Sequence, residues 1–253
     1  MIRLTIDGGV AEIALDAPEK LNALSRPALY ELGDAYAEAA GSGVRALVLR
    51  GEGRAFCAGR DIAGVDPATD DVTDYLDAVT RLMRRMAGFP APTFAAVQGA
   101  CLGVGLGLAI ATDVVYVAET AKIGSPFAGI GAMLDSGAHA LFYERLGAHR
   151  ALDLIYTGDL ISGTEAVAAG LFSRALPADD VLAFTREKAA RTAVGPTQAL
   201  LASKRLISRM RDDRLWDAVA EETIGQAALR DNADYREGFA AFQEKRRPSF
   251  RGE

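Results

Sequence analysis

The chain has 253 residues, half of them hydrophobic and a quarter charged, a composition that suits one large globular domain, or one domain with a small appendage, and excludes a disordered chain. Lys and Arg number 28 against 34 Asp and Glu, a net charge of −6, which argues against a general affinity for nucleic acid or an anionic membrane. The longest apolar run, Gly99 to Ala111, is broken by glycines and closed by Asp113, well short of the roughly 20 residues a membrane-spanning helix needs. The first sixteen residues alternate like a strand and do not read as a signal peptide, so a cytoplasmic protein is expected. Cys57 and Cys101 are lone cysteines, and His139 and His149 are the two histidines; a disulfide scaffold or zinc finger is excluded, and a histidine-rich metal site is not expected.

In chain order, Ile2–Ile6 and Val10–Leu15 flank Asp7-Gly8-Gly9 and predict a hairpin. Pro27–Ala40 has helical spacing, with Ser25 placed to cap it. Ala46–Arg50, Thr93–Val97 and Val114–Ala118 are compact runs that predict buried strands, each followed by a glycine-containing loop. Ser136–Leu146 predicts a helix. Beyond Arg145 nearly every segment reads as helix: Ala148–Tyr156, Gly163–Ala169, Asp179–Ala193, Thr197–Arg209, Leu215–Leu229 and Asp234–Arg246, with Phe172–Leu176 a short strand candidate. The expected organisation is an α/β core over 1–190 and a helical part over 191–253.

Two loops stand out chemically. Ala55-Phe56-Cys57-Ala58-Gly59-Arg60-Asp61-Ile62 follows the first buried strand, and Gly99-Ala100-Cys101-Leu102-Gly103-Val104-Gly105-Leu106-Gly107 follows the second and opens an apolar helix. Glycine lets a ligand approach the backbone, and free N–H groups at a helix start stabilise negative charge, so two such loops can converge on one oxygen. Glycine in such loops is more often a packing requirement. GVGLGL lacks the third glycine of a dinucleotide fingerprint, and no GxxxxGK[ST] loop is present.

PEKLNAL (Pro18–Leu24), AFCAGRDI (Ala55–Ile62), Gly99–Asp113, Thr157-Gly158-Asp159 with Ala166 and Gly170-Leu171, and FQEKRRPSF (Phe242–Phe250) together resemble the crotonase superfamily of enoyl-CoA hydratases and isomerases over nearly the whole chain. The resemblance implies an α/β spiral of ββα units, a helical C-terminal trimerisation part giving a homotrimer or hexamer, and an acyl-CoA site between the two loops. Coenzyme A would arrive as part of the substrate, with no metal or separate cofactor. The implied oxyanion donors are the backbone N–H groups of Arg60 and Val104. The implied acyl-CoA site includes Ala58, Asp61, Ile62, Gly103, Gly107 and Phe127. Lys245, with Arg246 and Arg247, would meet CoA phosphates in a neighbouring subunit or else form a solvated helix end.

The glutamates of hydratases resembling this chain are absent: their positions match Gly107 and Phe127. Gly107 would clear room for the acyl group or permit close helix packing. Asp135, in Met133-Leu134-Asp135-Ser136-Gly137, instead matches the aspartate of isomerases of the phenylacetate pathway, with Leu134 where they carry proline. Its apolar neighbours would raise its pKa and suit it to moving protons; capping of the helix that follows is the other reading. His139, four residues on, would pair with Asp135 or simply pack. The expected activity is an acyl-CoA isomerase shifting a double bond from the 3- to the 2-position. Hydrolysis, dehalogenation, water addition and noncatalytic acyl-CoA binding are the alternatives.

Overall fold

In the computed structural model, which describes residues 1–253, β1 (Ile2–Asp7) and β2 (Val10–Leu15) form the expected antiparallel hairpin. Gly8 and Gly9 turn it at φ +55° and +79°, values that a side-chain-bearing residue rarely adopts. The chain continues through α1 (Arg26–Gly41), β3 (Ala46–Gly51), α2 (Val72–Ala87), β4 (Thr93–Val97), β5 (Ala100–Leu102), α3 (Val104–Ile110), β6 (Val114–Ala118) and β7 (Lys122–Gly124). It ends with α4 (Ala138–Leu146), α5 (Ala148–Thr157), β8 (Ile161–Ser162), α6 (Gly163–Ala168), β9 (Arg174–Leu176), α7 (Val181–Ala193), α8 (Thr197–Leu229) and α9 (Ala233–Gln243).

A six-stranded sheet runs in the order β1-β2-β3-β4-β6-β9, parallel throughout except for the first hairpin. Its central strands β3 and β4 are buried along their whole length, which explains why they read as unbroken apolar runs and not as alternation. A smaller sheet, β5-β7-β8, stands beside it. The carboxyl ends of β3 and β4 deliver the chain into the two loops singled out above.

Three helical features differ from the sequence reading. The helix α2 was not anticipated, although Val72, Tyr75, Leu76, Val79, Leu82, Met83 and Met86 form one buried stripe at the i, i+3, i+4, i+7 spacing of an amphipathic helix; Asp71 caps it by accepting from Asp74 N at 3.0 Å. Thr197–Arg209 and Leu215–Leu229 are one helix of 33 residues, because Met210–Arg214 holds no glycine or proline and its paired aspartates do not interrupt the hydrogen-bond ladder. The helix expected from Ser136 begins at Ala138, since Ser136 and Gly137 take φ +58° and +81°, outside the right-handed helical region.

Asn22 ties the N-terminal segment to the first loop. It is fully buried, accepts from Ala17 N at 2.9 Å, and donates to Glu52 O at 3.0 Å and Ala55 O at 2.8 Å. Removing it strands buried backbone groups, so Asn22→Ala should lower stability by about 2–4 kcal/mol. A urea unfolding curve with its midpoint unchanged would contradict this.

Candidate active site

Backbone hydrogen bonds stitch the two loops together. Phe56 N donates to Gln98 O at 2.7 Å, Cys57 N to Ala100 O at 2.9 Å, and Leu102 N to Cys57 O at 3.0 Å. On the other side, Ala58 N donates to Leu21 O, Leu24 N to Gly59 O and Asp61 N to Leu24 O, at 2.8–3.1 Å. With Gly59 O and Asp61 N both turned to Leu24, the intervening Arg60 N–H faces away from it and donates to no protein acceptor. The Val104 N–H, first in α3, likewise has none. The two stretches are neighbours: a β-carbon on Gly59, whose φ is +104°, would lie 3.0 Å from Leu102 O and 3.8 Å from Val104 N.

A cavity of about 480 Å³ opens beside these donors. Ala58, Arg60, Ile62, Gly103, Phe127 and Asp135, all anticipated as site residues, line it together with Tyr75, Gln226, Tyr235 and Phe239. Val104 is buried at its edge, next to Gly103. Asp135 is the one carboxylate in the wall, and burial pushes its pKa up to about 7. The Ser136 hydroxyl, which donates to Asp135 Oδ1 at 2.8 Å, and the Gln226 amide pull in the opposite direction, while the Glu222 carboxylate adds to the rise. A carboxyl poised near neutrality takes and returns protons with little energetic bias at physiological pH.

The cap reading of Asp135 is corrected. Glu222, from α8, accepts from Gly137 N at 2.7 Å and His139 N at 3.1 Å, so the start of α4 is held from a distant helix and Asp135 is not its cap. His139 does not pair with Asp135 either: its Nδ1 stands 2.8 Å from Glu222 Oε1. One turn further along α8, Gln226 accepts from Met133 N and donates to Met133 O, at 3.3 and 2.7 Å. Two buried polar side chains at i, i+4 on one helix therefore grip the chain on both sides of Asp135. Glu222→Gln keeps the size but weakens charge-assisted bonds, and should cost about 1–3 kcal/mol of stability. Because it also removes a negative charge near Asp135, the pH at which activity rises should move down; an unshifted pH–rate profile would argue against that coupling.

Three other expected site residues lie elsewhere. Gly107 does not line the cavity; a β-carbon there would sit 2.5 Å from Ser136 Cβ and 3.1 Å from Ser136 O, so its small size serves close packing of α3 against the turn that carries Asp135. Asp61 pairs with Lys20 at 3.1 Å and accepts from Ala63 N, and does not line the cavity. Lys245 is exposed past the end of α9.

The sequence and the fold have counterparts among known proteins. A family model described as enoyl-CoA hydratase/isomerase matches residues 5–253. The chain belongs to the enoyl-CoA hydratase/isomerase family, within the crotonase superfamily. It is 38% identical to a "Probable enoyl-CoA hydratase" of Rhodobacter capsulatus, covering 99% of this chain and 98% of that one. It is 33% identical to the 1,2-epoxyphenylacetyl-CoA isomerase of Escherichia coli, over 98% and 97% of the two chains. The fold matches the crystal structure of an enoyl-CoA hydratase from Mycobacterium avium subsp. paratuberculosis with a TM-score of 0.89 at 33% identity, covering 99% and 98%. The mixed α/β architecture is thus the crotonase fold.

In this crotonase, sequence reasoning missed the wall supplied by α2, α8 and α9. Tyr75 donates its hydroxyl to Leu24 O at 3.0 Å and carries the Arg60 guanidinium 4.2 Å above its ring. Its signal was the unread amphipathic stripe of α2. No local signal marked Gln226 or Tyr235; Gln226, for one, meets Met133, 93 residues away along the chain. Both cysteines are fully buried and burial pushes the Cys57 thiol up to about 12, so neither is a thiolate nucleophile near neutrality.

Proposed function

We propose that the protein is an acyl-CoA isomerase that moves a carbon–carbon double bond from the 3- to the 2-position. The observation that carries this reading is a single carboxylate, Asp135, in the wall of an otherwise largely apolar cavity, with its pKa pushed to about 7. The positions matching the hydratase glutamates hold Gly107 and Phe127; the first is packed shut against Ser136 and the second carries a ring across Gly103. In the proposed reaction the Arg60 and Val104 N–H groups hold the thioester oxygen. Asp135 takes the C2 proton, the C–H electron pair moves into an enolate conjugated with the 3,4 double bond, and the protonated Asp135 returns the proton at C4. Backbone donors aimed at such an oxygen each contribute about 2.7–4 kcal/mol.

Hydrolysis or water addition needs a second group to activate water. His139, the histidine nearest to Asp135 in sequence, is engaged with Glu222. Incubating the protein with 3-enoyl-CoAs of short to long chain and with ring-type acyl groups in heavy-oxygen water separates these chemistries. The expected product is 2-enoyl-CoA with no label. Labelled product would favour hydration or hydrolysis, and binding without turnover across the panel would favour a noncatalytic role.

A further inference from the structure

The acyl cavity holds more hydrogen-bonding capacity than a proton shift along an alkyl chain uses. Tyr235, from α9, is 2% exposed and lines the cavity, yet its hydroxyl makes no hydrogen bond within the protein, whereas the Tyr75 hydroxyl is spent on Leu24 O and the Gln226 amide on Met133. Unlike the Tyr36 hydroxyl, which is sealed in the core without a partner, the Tyr235 hydroxyl is free to meet a ligand in the cavity that its residue lines. Arg60 lines the same cavity, and its guanidinium makes one side-chain hydrogen bond, from Nη2 to Asp70 Oδ1 at 2.6 Å, leaving most of its five N–H donors unused. Arg60, Tyr75, Asp135 and Tyr235 all line this one cavity. The remaining wall, including Ile62, Leu76, Phe127 and Phe239, is apolar.

Resting on the isomerase reading of this site, we propose that its substrate is an acyl-CoA whose acyl group carries a neutral oxygen acceptor, of carbonyl or ether type, held between the Tyr235 hydroxyl and the Arg60 guanidinium. The charge balance selects a neutral oxygen. Asp70 already compensates Arg60, and Asp135 supplies a carboxylate to the same cavity, so a second anion would be repelled without a free cation to offset it. A plain alkyl chain would leave the two donors desolvated and unpaired, which binding sites built around hydrogen bonds penalise.

The test is calorimetric binding of saturated esters that cannot isomerise: octanoyl-CoA, its 4-, 5-, 6- and 7-oxo derivatives, and octanedioyl-CoA. At least one oxo-ester should bind about tenfold more tightly than octanoyl-CoA and than octanedioyl-CoA, the worth of one well-placed hydrogen bond. That preference should fall below about threefold in Tyr235→Phe or Arg60→Met, the first of which keeps the ring and so the packing on Phe239. Melting curves confirm folding, and Tyr235→Phe decides alone if Arg60→Met does not fold. The proposal is overturned if octanoyl-CoA binds as tightly as every oxo-ester, if octanedioyl-CoA binds best, or if the preference survives every variant that folds. A preference for oxo-esters in a protein that isomerises none of the 3-enoyl-CoAs would sink the isomerase reading and leave this one standing.

Discussion

Asp135→Asn should fold and still bind acyl-CoA while isomerisation falls by about 100-fold or more, the scale on which a positioned acid–base group acts. The structural cost is small because Asp135 does not cap α4; Glu222 does, and the Ser136 hydroxyl can donate to an amide oxygen as it does to Asp135 Oδ1. In the unsubstituted protein the rate should climb as pH rises through about 7, where the Asp135 carboxyl ionises. Stability should run the other way. The folded-state pKa lies above the ordinary 3.8, so between those values the folded chain binds more protons than the unfolded one, and stability falls with rising pH until Asp135 is ionised in both. From pH 5 to pH 8 this loss amounts to about 2–3 kcal/mol, and it should vanish in Asp135→Asn because the amide does not titrate. Denaturant titrations at the two pH values check it. Full turnover in the folded variant would mean that another group moves the proton.

Gly105→Ala should impair both folding and catalysis by a steric route. A β-carbon at that position would lie 2.4 Å from Cys57 O and 2.8 Å from Cys57 Cβ, and Cys57 cannot retreat because its N–H and C=O are both bonded to β5. Forcing α3 away from this loop costs about 1–3 kcal/mol as overpacking. It also changes the separation of the Arg60 and Val104 N–H groups, and a misplacement of about 1 Å between reacting groups costs up to about 100-fold in rate. We expect kcat/KM to fall at least about tenfold, with a lower melting temperature. Gly41→Ala is the control, since Gly41 ends α1 and a β-carbon there meets no atom within 4 Å; its kinetics should match the parent and its stability should equal or slightly exceed it. Equal behaviour of Gly105→Ala and the control would mean that the loops have slack.

What could be read along the chain was whatever is encoded by near neighbours. The hairpin around Gly8-Gly9, the apolar runs that became β3, β4 and β6, and the periodicity of α1, α5 and α7 depend on local backbone preference and on side-chain spacing. The loops Ala55–Ile62 and Gly99–Gly107 were visible for the same reason, because glycines that allow close backbone approach leave a compositional mark. Asp135 could be singled out as a base by its sequence context, but that context left capping open beside it. The choice fell to Glu222, 85 residues downstream of Gly137, which took over the capping and left the Asp135 carboxyl to the cavity. Gly107 was ambiguous until Ser136 was seen pressed against it, and Tyr235 and Gln226 had no motif at all. Their roles arise from α8 and α9 packing across the mouth of the two loops. The pKa of a carboxyl, the partner of a hydroxyl and the space beside a glycine depend on which distant atoms exclude water and fill volume there, and only the folded chain brings those atoms together.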